Sequence, residues 1–545
     1  MIIIKEIYAN AKKSRLFTIM LNSKILPREI FQKREELGMK NSIKMLMEII
    51  EKDKDDGRRK SAIKYLGLIN NNSTILKNEC FEILENILIS DDNISLKCEA
   101  ANSLSFLGLE DILRPLKWTL EQSQIESELK ISCFTAIANA GFLEKELDSY
   151  IKEMDNESQD IRECVISQLL KLKPKKLVKH LLLALNEDDY SENHKIEVLK
   201  LIAYELTETK IFDKQYDSQK IKYPEILPDL IQNKKTLLKI IINVLRDDIL
   251  DNILKILYVL GQEIHQELVE YVNNEDFIIK KNAIKLIGKL RIKDGVNVLV
   301  DNLDNIYDDV SKASIKSLGE IGEISVVSKL LNILNIEDMS FEYIDLDMKW
   351  YVLDAITKIY LKNKNPNFDI LYSTLKSKND ILIESVAYLL GEIGYEEFTA
   401  PLLRLLSKRN LDIRKNAAIA LGKIGNKKAI EFLISIIEDK NNYWLLKKIA
   451  TDAIYNIYLK NIYAISKDPQ DKRFFTQQTE KIINYLNQTN DYYKVKLSVV
   501  KILEDFGGKT SINALLKQVN DFHRIVRISS SKAIKKIEKR LEEKK

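Results

Sequence analysis

Cysteine is scarce in this chain: four residues in 545, Cys80, Cys98, Cys133 and Cys164, none at a paired spacing. That pattern excludes a disulfide framework and a Cys-x-x-Cys metal or redox motif, leaving four small apolar side chains suited to a reducing compartment. Histidine is equally rare. His180, His194, His265 and His523 share no metal-binding spacing, and no His-Glu-x-x-His occurs. A phosphate loop is missing too, because Gly319-Glu-Ile-Gly322 has neither a preceding strand nor the lysine such a loop requires. No apolar run approaches a membrane span. The start, Met1-Ile-Ile-Ile-Lys-Glu-Ile, carries an acidic residue and no cleavage-like region, so a cytoplasmic chain is expected. Charge of one sign is also lacking: 85 basic residues face 81 acidic ones, a net charge of +4 that does not argue strongly for a nucleic-acid partner.

What the chain has is a repeated helical pattern. In Asp412-Ile-Arg-Lys-Asn-Ala-Ala-Ile-Ala-Leu-Gly-Lys-Ile-Gly425, the residues Ile413, Ala417, Ala420, Leu421 and Ile424 recur at steps of three and four. They make one apolar stripe on a helix, with Arg414 at its shoulder and Lys415 pointing away. Ala429, Ile430, Leu433, Ile436 and Ile437 repeat the geometry on a second helix. Two short helices with one apolar face each must stack on copies of themselves. Leu390-Gly-Glu-Ile-Gly394 precedes Leu421-Gly-Lys-Ile-Gly425 by 31 residues, and Leu318-Gly-Glu-Ile-Gly322 follows Ile287-Gly288 by the same interval. A period of that size, written as helix, turn, helix, identifies an α-solenoid.

This pattern resembles HEAT repeats, most of all the short, alanine- and glycine-rich variety of the bilin-lyase-like (PBS lyase) family. It departs from generic HEAT in its tight Leu-Gly-x-Ile-Gly ending and its scarcity of proline at helix starts. The resemblance implies an all-α, right-handed superhelix of stacked hairpins. Residues 1–57 are expected as an N-terminal cap or docking arm. HEAT-like repeats follow over 58–333, with an insertion near 205–224, then an acidic insertion at 334–347. Repeats resume over 348–529, with an insertion near 460–475, and 530–545 form a charged capping helix. Each glycine of the repeated ending is expected where the chain turns between helices. Trp118, Trp350 and Trp444 are distant in sequence, and core packing explains each at least as well as a place among the aromatics of a binding groove.

Aligned on the glycines, the outward position of Lys415 is Lys60, Lys281 and Lys312 in other units and Glu384 in one exception. The resemblance places these helices on a concave inner face, making the five residues candidate partner contacts. The shoulder residues Arg59, Lys280 and Arg414 are expected to pair with acidic residues of inter-helix turns such as Asp412. No catalytic residue, cofactor or metal ligand is assigned. Residues 401–430 carry eight basic residues against Asp412 alone, while 336–347 hold five acidic residues and no basic one, so the surface divides into fields of opposite sign. Mixed fields fit a protein partner held by a non-catalytic scaffold. The alternative is a nucleic acid on the basic face, related in action to the HEAT-like alkyl-purine DNA glycosylases.

Overall fold

Asparagine starts the best-formed helix and glycine stops it. The Asn410 side-chain oxygen accepts hydrogen bonds from the backbone N–H groups of Asp412 at 2.8 Å and Ile413 at 3.2 Å, satisfying donors that the helix Leu411–Ile424 cannot. At the other end Gly425 turns left-handed at φ 86°, and its N–H returns to the Leu421 carbonyl. Asn379 and Gly394 bracket Asp380–Ile393 in the same way, and Asp276 caps Phe277–Leu290. The last helix has no glycine at its end. Arg291 takes the left-handed conformation there at φ 54°, the one positive-φ non-glycine among the described residues.

The computed structural model describes residues 25–69, 74–187, 189–206, 222–335 and 346–543. Among them there are helices, short 3-10 turns and no strand: an all-α solenoid of stacked hairpins. The readings for residues 1–24, for 207–221 within the first insertion and for 336–345 within the acidic insertion lie outside the described residues. The chain forms two compact units, residues 1–264 and 265–545.

In the first unit the helices Asp56–Leu68, Ile94–Leu104, Ser127–Asn139 and Gln159–Leu169 pack in succession. The helices Thr74–Ser90, Leu113–Leu120, Leu147–Lys152 and Pro174–Ala184 alternate with them as a second layer. Leu66, Leu104, Ile137 and Leu169 are fully buried between the layers. Pro27–Gln32 is held against the stack by the Phe31 and Tyr65 rings, 5.1 Å apart, and by Arg58, which donates to the Ile25 carbonyl at 2.8 Å. Cys80, Cys98 and Cys133 are buried and Cys164 half-buried, all as free thiols. Burial pushes the Cys80 thiol up to about 12.

In the second unit the long helices are Phe277–Leu290, Asp308–Ile321, Leu346–Lys362, Asp380–Ile393, Leu411–Ile424 and Trp444–Lys460, each packed on the next. Short helices such as Val327–Ile333, Thr399–Leu405 and Ile430–Glu438 form the other layer. The two glycines of each Leu-Gly-x-Ile-Gly ending do different work, which corrects the expectation that both mark turns. Only the second turns the chain. The first lies inside the helix and lets the neighbour in: a Cβ on Gly422 would stand 2.8 Å from Ala453 Cα, and one on Gly391 2.7 Å from Ala420 Cα. Gly288 against Ser317, Gly319 against Ala355 and, in the first unit, Gly67 against Ser103 repeat the contact. A glycine facing a small residue is therefore the joint that brings two long helices to backbone contact.

Residues 460–475, read as an insertion, are helical in Ile462–Lys467 and the start of Pro469–Gln488. Phe475 is buried against the Tyr458 ring at 4.7 Å, and its carbonyl accepts the Tyr458 hydroxyl. The last helix, Arg524–Glu542, buries Val526, Ala533, Ile534 and Ile537 and keeps its charges on the remaining sides.

Candidate functional site

Within the second unit, each long helix has one side that no helix of the described residues covers. Burial gives its register: Ile278, Lys281, Lys285 and Lys289 on the first helix, Asp309, Lys312, Lys316 and Glu320 on the second, and Asp412, Lys415, Ile419 and Lys423 on Leu411–Ile424. Successive long helices pack together, so these stripes lie side by side. Of the sequence-derived candidates, Lys281, Lys312, Glu384 and Lys415 share this face. Lys60 holds the equivalent register in the first unit.

The candidates are half-buried, and the contacts shown for them are links between or within repeats. Lys60 donates to Ser95 Oγ of the following helix at 2.8 Å. Lys281 meets Asp309 at 3.0 Å, and this lysine holds the Asp309 carboxyl below its usual range. Glu384 accepts Lys349, and Lys312 Nζ lies 6.0 Å from the centre of the Tyr351 ring. Lys415 folds back onto Asp412 at 2.5 Å, so Asp412 does not serve the shoulder residue Arg414. Arg414 reaches instead the Leu406 carbonyl at 2.9 Å and Asn442 Oδ1 at 2.8 Å. The shoulder position does staple turns: Arg59 binds the Ile50 carbonyl and Asp91, the latter at 2.6 Å, and Lys447 binds Asp491 at 2.9 Å.

Tryptophan is where the sequence reading needs correction. Trp118 is 46% and Trp350 52% exposed, and Trp444 lies half-buried beside Tyr492, with ring centres 4.6 Å apart. None of them is core. Trp350 occupies the register of Lys281, Lys312, Glu384 and Lys415, on the uncovered side of Leu346–Lys362. Spacing relative to glycine hides this, because Thr357 stands where the helices of those four residues carry the joint glycine. Alignment on the small partner residue reveals it, since Ala355 and Ala420 are equivalent and so therefore are Trp350 and Lys415. Trp350 meets the Tyr388 ring edge to face at 5.3 Å. Burial, with Glu392 accepting its hydrogen bond, pushes the Tyr388 hydroxyl up to about 12.

Two other clusters are explained by structure. A cavity of about 520 Å³ lined by Glu438, Lys440, Lys447, Tyr485, Thr489 and Asp491 has its buried cation, Lys447, already paired, because Asp491 takes Lys447 at 2.9 Å, Tyr485 at 2.5 Å and Thr489 at 2.8 Å. Burial opposes the Asp491 charge, but these three donors together hold its carboxyl below the usual range. Asp155, Ser191 and His194 bring together the residue types of a hydrolytic triad without its geometry. The Ser191 hydroxyl donates to Asp155 at 2.7 Å and caps the His194 N–H, while the imidazole stacks on Tyr190 at 3.9 Å. A hydroxyl spent on the carboxylate is not aimed at the base, so the set docks a turn onto the helix Glu192–Leu206.

Among the described residues no helix is long and apolar enough to cross a membrane. The HEAT repeats family matches residues 368–454, which contain the best-formed joints. No curated protein matches the chain. Of solved structures, importin beta crystallised from polyethylene glycol is similar at 11% identity over 98% of this chain and 79% of that one, with a TM-score of 0.41. Kap121p bound to RanGTP is similar at 13% identity over 97% of this chain and 56% of its own length, with a TM-score of 0.37. The CpcE and CpcF complex of phycocyanin lyase from Nostoc is similar at 16% identity over 50% of this chain and 99% of that one, with a TM-score of 0.22. Likenesses of this size say nothing about a partner or an activity.

Proposed function

We propose that the chain is a non-catalytic, cytoplasmic scaffold that holds a protein partner along the uncovered side of its long helices. The observation that carries this reading is the alternation on that side. Lysines and carboxylates interleave from helix to helix, and exposed apolar groups, Trp350 and Ile419 among them, sit between them. Protein interfaces combine an apolar centre with charges that steer the encounter. A nucleic acid gains affinity with each phosphate it neutralises, and here Lys281 and Lys415 are already matched by Asp309 and Asp412.

The test is photo-crosslinking in the native host from a benzophenone amino acid placed at Ile419 on this face, with Phe432 on the other layer as control. A protein adduct from position 419 and none from 432 is expected. Equal labelling from both, or adducts to nucleic acid, would overturn the reading. Titration of labelled DNA and RNA at about 0.15 M salt addresses the alternative directly. Tight, salt-sensitive binding abolished by Lys281→Glu, Lys312→Glu and Lys415→Glu together would establish it.

A further inference from the structure

Trp350 is the outlier of its register. The equivalent positions carry lysine or glutamate, and in its own helix Val352, Leu353, Ile356, Ile359 and Tyr360 are buried while the indole stands half in water. Its neighbours make it part of a patch. Tyr388 lies against it at 5.3 Å, and the adjoining Tyr351 ring lies under Lys316 Nζ at 4.5 Å. Lys423 Nζ stands 5.2 Å from the Tyr388 ring centre. Trp350 and Tyr388 thus form an aromatic patch across two adjacent helices, with Lys423 beside Tyr388 and Lys316 beside Tyr351, the next residue after Trp350.

The charges around the patch are unequally committed. Glu320 is taken by Lys362 and Lys358, Glu384 by Lys349 and Glu392 by Lys423. Lys316 has the Tyr351 ring beside it and, among the described residues, no carboxylate. An incoming anion therefore finds an available cation at the edge of the patch, whereas an incoming cation finds the nearby carboxylates already paired.

We infer, building on the scaffold reading, that this patch docks an acidic segment of a partner protein carrying one large apolar side chain. The apolar side chain seats against Trp350 and Tyr388, and a carboxylate of the segment meets Lys316. Tryptophan and tyrosine are the residue types around which binding energy concentrates, and a lone cation at the rim sets orientation. A run of phosphates fits less well, because its affinity grows with each charge neutralised and, among the described residues, the patch offers one lysine without a carboxylate.

The experiment uses the full chain and fluorescein-labelled peptides of about twelve residues, read by anisotropy at about 0.15 M salt. One peptide is acidic with a central Phe, the second has Ser in its place, and the third exchanges the acidic residues for Lys. A labelled oligothymidylate is the fourth probe. The acidic Phe peptide is expected to bind about ten-fold or more tighter than the other three, and Trp350→Ala and Lys316→Glu should each weaken it about ten-fold. Should Trp350→Ala lose helical signal by circular dichroism, Lys316→Glu decides, because that side chain is exposed. Equal binding of the Ser or Lys peptide, binding of no peptide, or tighter binding of the oligonucleotide would overturn the inference. A protein adduct from position 419 without peptide binding removes this inference and keeps the scaffold. Oligonucleotide binding without a protein adduct removes both.

Discussion

Two stretches of the second unit join their long helices by opposite means. From Asp380 to Lys460 the joint is a glycine: Gly391 lies on Ala420 and Gly422 on Ala453, backbone against backbone. Beyond Trp444 the glycine position is held by Tyr455, whose ring lies 6.0 Å from Phe506 and whose hydroxyl donates to Asp505 at 2.9 Å. A ring rather than bare backbone meets the neighbouring helix here. Charge closes this contact, with Lys447 on Asp491, and the following one, with Lys496 on Asp521 at 2.7 Å. The first joint is set by volume, while the second tolerates volume and depends on ionised carboxylates.

The largest effect is expected where volume is added to the first joint. Gly422→Val forces carbon into backbone and should cost about 3 kcal/mol, read by chemical denaturation, whereas Tyr455→Phe at the equivalent position should cost much less. Similar losses for the two would erase the distinction. Next comes acidification. Burial opposes the charges of Asp491, Asp505 and Asp521, but Tyr485, Lys447 and Thr489, then Lys536 and Tyr455, then Lys496 and the His523 N–H hold the three carboxyls below their usual range. Groups depressed in the folded state contribute stability above the unfolded value of about 4, and that contribution is lost as pH falls through the folded value. Hydrogen exchange near pH 3 should therefore release Tyr493–Phe506 and Arg524–Glu542 before Leu411–Ile424. Uniform release would contradict the comparison.

A single-residue form of the same experiment is Asp491→Asn, which leaves the Lys447 ammonium, 2% exposed, without its counter-charge. Because Asp491 itself is partly solvated, the expected cost is about 2 kcal/mol, below that of a fully buried pair. A denaturation midpoint that stayed pH-independent and unchanged would remove charge from the account of this joint. The smallest effect sharpens the glycine side. Arg291→Gly relieves a left-handed residue at the end of Phe277–Leu290 and should stabilise by about 1 kcal/mol, visible as a raised melting temperature. A loss would mean that Arg291 side-chain contacts outweigh the backbone strain.

Legibility followed the same division. The 31-residue period could be read because glycine is demanded twice per repeat, by close approach and by positive φ, and few residues substitute for it. In the first unit Ser105 takes the joint position and the spacing between capping residues drifts, so hydrophobic periodicity alone remained and the register blurred. The outward lysines could be placed on a face from spacing. Their ends could not, because a four-carbon stem lets Lys415 fold onto Asp412 and Lys281 cross to Asp309, choices fixed only by neighbouring turns. Trp350 was misjudged as core because the long segment before it breaks the glycine count. Only its small neighbour Ala355 carries the register.

The glycine joint also bears on how such a chain can change in length. A segment of 31 residues from Asn410 to Lys440 offers Ala420 to the glycine before it and Gly422 to the small residue after it. Duplicated in tandem, one copy would meet the other through the pair of surfaces each already possesses. Growth or shortening by whole repeats then requires no new complementary surface, and gene-level copying alone could add a repeat to the stack. A duplication across the Tyr455 joint would instead have to carry Asp491 and its turn along with it.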